Sequence, residues 1–262
     1  MKKIWILFGL IGMISLLQCS QEPHVQSDYD MFEVQGPVKS VSFYNDENVE
    51  HTKVVFRENG QILHKKQNNT FEDYIYENNI LREVKKFKAD MTPIHMRKYE
   101  YKDTLLAKIQ QFDASGSFDN YMKYTYDEDG NNIRSELFTA YGDLQYTWRY
   151  EYNENGKKIL EEHESEHKKF NRRFIYDLDD EGNIHVISEY NNANGILMKK
   201  RFYEVFHTIP LQTKMYNYWL DEISDSTLYS YSFDEYNNWI QKDVEPSQGK
   251  PSTQRRIIEY YE

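Results

Sequence analysis

One short segment of the chain has the residue types of a zinc protease. His163-Glu164-Ser165-Glu166-His167 matches the H-E-x-x-H pattern, in which two imidazoles one helical turn apart bind zinc and the glutamate activates a zinc-bound water. That chemistry requires a helix, whereas the repeat described below places a strand end and a turn here. Four residues of a strand span about 13 Å, too far for two ligands of one tetrahedral ion. We therefore interpret the segment as a charged, solvated hairpin tip, with His163 and His167 as the zinc candidates.

A second segment resembles a calcium loop. Asp177-Leu-Asp179-Asp-Glu181-Gly182 follows the first positions of an EF-hand loop. The twelfth position, which requires a bidentate carboxylate, is Ser188. Turn formation accounts for the acidic residues without calcium, since Asp and Gly are favoured in turns. We expect no metal and no cofactor, and we keep Asp177 and Asp179 as the alternative ligands.

The remaining composition favours a non-enzymatic protein. No nucleophile elbow, phosphate-binding loop or dinucleotide fingerprint is present. We keep a glycosidase-type pair of carboxylates as an alternative, because carboxylates are numerous and the sequence does not give the distance between any two of them in the folded protein. The single cysteine excludes a disulfide framework. The net charge of −11 argues against nucleic acid as a partner.

The N-terminus reads as an export signal. Lys2 and Lys3 precede an uncharged apolar run from Ile4 to Leu17, which is too short to span a bilayer comfortably. The only cysteine, Cys19, follows directly where the chain becomes polar. This junction resembles a bacterial lipoprotein signal, in which the cysteine is acylated and becomes the mature N-terminus. Ser20 after the cysteine implies, by that resemblance, sorting to the outer membrane.

We therefore expect three segments: a lipoprotein signal peptide over 1–18, an N-terminal tether over 19–35 and a folded domain over 36–262. Two or more acyl chains anchor a protein stably without spanning the membrane. The expected location is the bacterial cell envelope and, by the sorting resemblance, the outer membrane, on its periplasmic face or at the cell surface.

The folded domain consists of one repeated unit. Each unit begins with two aromatic residues separated by one residue of any type. A polar turn follows, and then Ile or Leu. Tyr124-Thr-Tyr126 with Gly130 and Tyr150-Glu-Tyr152 with Gly156 are clear examples. The second aromatic position of the unit, which we call the anchor, falls at residues 56, 76, 101, 126, 152, 178, 205, 233 and 260. This spacing establishes a repeat, which takes precedence over any isolated motif.

Alternation within each unit predicts β-strands. Trp148, Tyr150 and Tyr152 share one parity, and Arg149 and Glu151 share the other. Period two with one apolar face is typical of a half-buried strand, and the polar Gly-containing turns close hairpins. Nine anchors imply about eighteen strands. We predict an all-β fold, an antiparallel meander of repeated hairpins with a period of about 25–27 residues, in a curled or elongated single-piece array.

The unit resembles a known repeat. Tyr124-Thr-Tyr126-Asp-Glu-Asp-Gly130-Asn is similar to the tyrosine–aspartate (YD) repeat of Rhs proteins, and Tyr150 to Gly156 matches less fully. The arrangement also resembles small envelope lipoproteins built from degenerate YD-like hairpins. The resemblance covers roughly 36–260 and implies the architecture alone, because it carries no catalytic residue.

The aromatic stripe has two interpretations. Parity places its tyrosines in a core, but tyrosine and tryptophan also form platforms for glycans or peptides. Trp219 and Trp239 fall near turns, where exposure is easier, and are the ligand-binding candidates. We expect a lipid-anchored, non-enzymatic envelope protein whose extended β surface binds a partner protein or a surface glycan. The alternative is a periplasmic or surface hydrolase, glycan-active or metal-dependent. An outer-membrane barrel is disfavoured, because Lys98, Lys123, Arg149 and Glu151 would meet lipid.

Overall fold

Eighteen antiparallel strands follow one another in the part of the chain that the structure, a computed structural model, describes: residues 28–165, 171–206, 209–219 and 222–262. A 3₁₀ turn over Tyr29–Phe32 precedes them. The strands are β1 Val38–Tyr44, β2 Glu50–Phe56, β3 Ile62–Gln67, β4 Thr70–Glu77, β5 Ile80–Lys88, β6 Pro93–Lys102, β7 Leu105–Asp113, β8 Phe118–Tyr126, β9 Asn132–Thr139, β10 Leu144–Tyr152, β11 Lys158–Ser165, β12 Arg172–Leu178, β13 Ile184–Asn191, β14 Leu197–Phe206, β15 Ile209–Trp219, β16 Glu222–Phe233, β17 Trp239–Pro246 and β18 Ser252–Tyr260. The predicted meander of about eighteen strands is confirmed.

Local turn chemistry produces the hairpins. Gly130 has a φ of +84°, which an L side chain rarely adopts, and its N–H donates to the carbonyl of Asp127 at 3.2 Å. The Asp127 carboxylate accepts the N–H of Asp129 at 3.1 Å, as in an Asx turn, and also the N–H of Asn131 at 2.8 Å. Asn237 takes the glycine position of its own repeat with a φ of +62°. Each turn therefore closes on its own residues.

The sheet closes on itself, and this differs from the expected open array. β1 pairs with β2 and also with β18, so that Val41 lies opposite both Val54 and Ile258. The result is a closed β-barrel in which every strand has two neighbours. The prediction of a curled or elongated array was wrong because closure satisfies the unpaired edges that an open array would expose.

Residues 28–36 form a strap across one end of the barrel. Asp28 accepts a hydrogen bond from the Tyr76 hydroxyl on β4 at 3.1 Å, and Glu33 accepts one from the Trp239 indole on β17 at 2.8 Å. β4 and β17 are five strand spacings apart, which is about 24 Å along the outside of the sheet. The five residues from Asp28 to Glu33 span only about 10 Å in a 3₁₀ conformation. The strap therefore crosses the concave face. Residues 28–35, the last part of the predicted tether, therefore lie against the barrel.

The strap defines the two ends and the inside of the barrel. Its ends bind the turn at Gly60 and the turn at Asn238, so we call this the strap end and the opposite one the open end. The residues that face the strap share their side of the sheet with Tyr150 and Tyr152. The predicted parity of these tyrosines is confirmed: they face inward and are partly buried.

The close-packed core occupies one sector. Val34 of the strap forms a buried cluster with five residues of the barrel, Val38, Val41, Val54, Phe56 and Ile62. Among the described residues of β6 to β14, no large hydrophobic side chain is fully buried. Barrels of 16–18 strands are too wide for their side chains to fill, so an interior space remains, which we call the lumen.

The outer face is charged. Lys98, Lys123, Arg149 and Glu151 alternate with the inward tyrosines and are exposed. The described part of the chain contains no helix with the length and apolar character needed to cross a membrane.

Candidate functional site

The first of the two zinc candidates does not lie on a helix. His163 is in strand β11, and its Nε2 lies 2.6 Å from the Glu161 carboxylate. Its ring packs between those of Trp148 and Phe174, at 6.1 and 5.0 Å between centroids. His167 lies outside the described residues. Within the described ranges, no group of three or more His, Cys, Asp or Glu side chains is placed to hold a metal ion.

The two aspartates of the calcium-like segment serve different purposes. Asp179 accepts the backbone N–H of Asn183 at 2.7 Å and caps its hairpin turn, and this hydrogen bond lowers the pKa of the carboxyl. Asp177 lies within β12 opposite Val186, on the outer face. The structure does not bring them together as ligands.

The two tryptophans occupy opposite environments. Trp219 ends β15 and is 74% exposed, as expected for a residue near a turn. Trp239 is 5% exposed, so the expectation of exposure fails here. Its indole lies beneath the strap and packs on the Arg256 guanidinium at 3.9 Å from the ring centroid. Arg256 in turn donates to the carbonyls of Phe32 and Glu33, which fixes the strap.

Tyrosine hydroxyls join adjacent hairpins from inside the barrel. Tyr126 donates to the carbonyl of Leu106 at 2.8 Å, and Tyr152 donates to that of Asn132 at 2.8 Å. Tyr231 makes the corresponding bond to Gln212. These contacts explain why the repeat uses tyrosine at positions where phenylalanine would pack equally well.

Charged side chains also face the lumen, at positions where the repeat otherwise places aromatic or aliphatic residues. Glu161 accepts hydrogen bonds from His163, Lys158 and Tyr176. Burial by itself raises its pKa, but these partners outweigh burial and lower the pKa of Glu161 to about 2. Glu189 is held between Arg172 and Arg201, at 3.5 and 2.7 Å.

A third lumenal carboxylate has looser partners. Glu72 lies 3.3 Å from the Lys86 ammonium and 3.6 Å from the Arg97 guanidinium. Burial raises its pKa, but the charges of Lys86 and Arg97 prevail and hold the pKa below its usual value. Sequence reasoning missed the three lumenal charge clusters. The signal available in the sequence was a charged residue at a position with the same parity as the aromatic anchors, since that parity faces inward.

The open end carries exposed large hydrophobic residues. Tyr141, in the turn between β9 and β10, is 94% exposed, and Trp219 projects at the start of the connection between β15 and β16. Met91, Val49 and Ile223 are also exposed at turns or strand ends on this side. We call these five residues the rim.

An aromatic row on the outer face is covered by its own neighbours. Tyr121 stacks on Phe138 and on Phe118, at 4.9 and 5.9 Å between centroids. Lys108 and Lys123 lie over these rings within 5.5 Å. Because the ring faces contact each other and the lysines, the row does not offer an open platform for a sugar.

No protein-family model matches the sequence, and no curated protein matches it. Among solved structures, a porin-like protein from Bacteroides uniformis is similar at 11% identity, over 85% of this chain and 97% of that chain, with a TM-score of 0.48. A porin-like protein from Bacteroides vulgatus is similar at 10% identity, over 86% of this chain and 99% of that chain, with a TM-score of 0.41. The TcdB2-TccC3-TEV structure is similar at 11% identity, over 82% of this chain and 14% of that chain, with a TM-score of 0.39. All three TM-scores are below 0.5, so the proposals below rest on the residues of this chain.

Proposed function

We propose that the chain is a lipid-anchored, non-enzymatic protein of the bacterial cell envelope that holds a partner protein at the rim of its barrel. The observation that carries this proposal is the exposure of Tyr141 and Trp219 at the open end. Tyrosine and tryptophan are among the residues that contribute most of the binding energy at protein interfaces.

The position of the strap supports an outward orientation of the rim. Cys19 precedes Asp28 by nine residues, which span at most about 32 Å when extended. Asp28 lies at the strap end, where its N–H donates to the carbonyl of Gly60. An anchor at Cys19 would therefore hold the strap end near the membrane and direct the rim away from it.

The test is recovery of a partner from the native envelope after mild cross-linking. We expect one stoichiometric protein with the wild type and at least tenfold less with the double variant Trp219→Ala and Tyr141→Ala, since each lost aromatic anchor costs about 2 kcal/mol. Leu105→Ala with Ile133→Ala, two exposed aliphatic residues near strap-end turns, is the matched control. Cys19→Ala tests the anchor by release from the membrane fraction.

Three outcomes would contradict the proposal. Equal recovery with the rim variant would remove the rim as the interface. Recovery of an envelope polysaccharide in place of a protein would favour the glycan alternative. Polysaccharide hydrolysis that is lost on mutation of one carboxylate pair would identify an enzyme.

A further inference from the structure

One sector of the lumen, formed by β3 to β6, has an excess of positive charge. Glu72, Lys86 and Arg97 face the same interior space, because Glu72 lies opposite Lys86 and Arg97 lies opposite Val84 on the inward side. Lys65 adds a third positive charge that lowers the pKa of Glu72. Three cations therefore surround one carboxylate, inside a chain whose overall net charge is −11.

Arg97 has hydrogen-bonding capacity that the protein leaves unused. Its contact with Glu72 is 3.6 Å, which is longer than a hydrogen bond. Its Nε is buried and has no partner, as in Arg57, Arg82 and Arg134. By contrast, Arg201 donates to Glu189 at 2.7 Å in the equivalent position of another repeat. A guanidinium has five donors arranged to bind an oxyanion at two points.

Two tyrosines beside Arg97 supply further donors. The charge of Arg97 acts on the hydroxyls of both Tyr99 and Tyr124, whose pKa values are raised chiefly by burial. Neither hydroxyl makes a hydrogen bond with any residue in the described ranges. Both therefore remain free to donate to a molecule in the lumen.

The histidine above Arg97 reports the same positive environment. His95 lies opposite Lys86 on β6, nearer the open end. Burial lowers its pKa and the charges of Arg97 and Lys86 lower it further, which outweighs the opposite effect of the Glu72 and Asp119 carboxylates. Arg97 is four residues from the first residue of β6, which places it about 13 Å along the strand from the open end.

We propose that Lys86, Arg97, Tyr99 and Tyr124 form a lumenal binding site for a small ligand that carries a carboxylate or a phosphate group. The cations supply the charge, Arg97 supplies paired donors, and the tyrosines supply both hydroxyls and apolar ring surface for a sugar-sized body. The site is independent of the partner protein proposed for the rim, because it depends on residues inside the barrel.

The test is calorimetric titration of the full lipidated chain, purified in detergent, with three probes. Glucuronate represents a carboxylate, glucose 1-phosphate a phosphate, and glucose the neutral body. We expect saturable binding of at least one anion, at least tenfold tighter than glucose, and weaker binding as sodium chloride is raised. Competition between the two anions shows whether they share the site, and the tighter one identifies the chemical source of the ligand.

Arg97→Met is the diagnostic variant, because Met122 occupies the equivalent position in the next repeat. We expect at least a tenfold loss of anion affinity, with thermal unfolding close to the wild type. Lys98→Met is the control: it removes the charge of the next residue on β6, which lies on the outer face, and should leave the anion affinity unchanged. Lys86→Gln provides a second, independent variant with an expected loss in the same direction.

Three results would overturn the proposal. The first is the absence of saturable binding of either anion to the wild-type protein. The second is binding of glucose as tight as that of the anions, and the third is anion binding that persists in folded Arg97→Met and Lys86→Gln.

Discussion

At the scale of single residues, the sequence predicts which way a side chain faces better than what covers it. Alternation placed Tyr150 and Tyr152 on the buried face, and the structure confirms this because parity is a local property of a strand. Trp239 was expected to be exposed because it follows a turn. It is buried because Glu33, 206 residues away, accepts its indole N–H. A contact at that separation leaves no local pattern in the sequence.

Glu161 gives a pH prediction at this scale. Its pKa in the folded protein is about 2, against 4.5 for the free group, so its ionised form stabilises the fold above pH 4.5 and this contribution is lost as pH falls towards 2. Glu161→Gln should lower the free energy of unfolding at pH 7 by at most about 3 kcal/mol, and the deficit should shrink below pH 4.5.

Denaturant unfolding of both proteins at pH 7 and at acid pH measures this difference. Glu162→Gln, which removes the neighbouring carboxylate on the outer face, is the control and should show a smaller deficit. A Glu161→Gln deficit that stays constant down to pH 2 would contradict the assignment.

At the scale of elements, the hairpins are predictable and the strap is not. Each hairpin depends on a turn such as Asp127 to Gly130, whose bonds lie within five residues. The same local logic assigned His163 to a strand and rejected a helix, as the structure shows. The strap contains apolar residues but no periodic pattern in its sequence. Its packing depends on Tyr29 and Phe32 meeting Phe56, whose ring lies 5.0 and 5.7 Å away.

Strand β10 provides the prediction for this scale. Tyr150→Pro removes a ladder donor and imposes a fixed φ within a strand that pairs on both sides, so we expect a loss of about 3 kcal/mol or more. Thermal unfolding measures it. Glu154→Pro, at the second position of the turn from Asn153 to Gly156, should be tolerated because proline is favoured there. Unchanged unfolding of Tyr150→Pro would contradict the strand assignment.

At the scale of the whole molecule, closure could not be predicted from the repeat. Each unit specifies its own hairpin and the next, and an open array and a ring have the same local sequence. Closure depends on the pairing of Val38–Tyr44 with Ser252–Tyr260, which includes a bond from Ser40 to Glu259 across 219 residues. The lumenal charge clusters could not be located either, because a lumen exists only once the sheet has closed.

The charged outer face gives a prediction about the isolated domain. A chain of residues 20–262 should remain monodisperse without detergent, because Lys98, Lys123 and Arg149 face outward. Size-exclusion chromatography of this chain, beside the full-length chain in detergent, is the measurement. Recovery of the shorter chain only in detergent would favour the outer-membrane barrel that the sequence analysis set aside.

The seam between β1 and β18 also has a consequence for the order of folding. β1 is synthesised long before β18, which is one of its two partners, so β1 keeps an unpaired edge until β18 has been made. Pairings this distant in sequence form slowly, because the entropy of closing the long loop must be lost first. During that interval an incomplete ring can pair with a neighbouring chain, and a chaperone that shields exposed strand edges would favour the closed monomer.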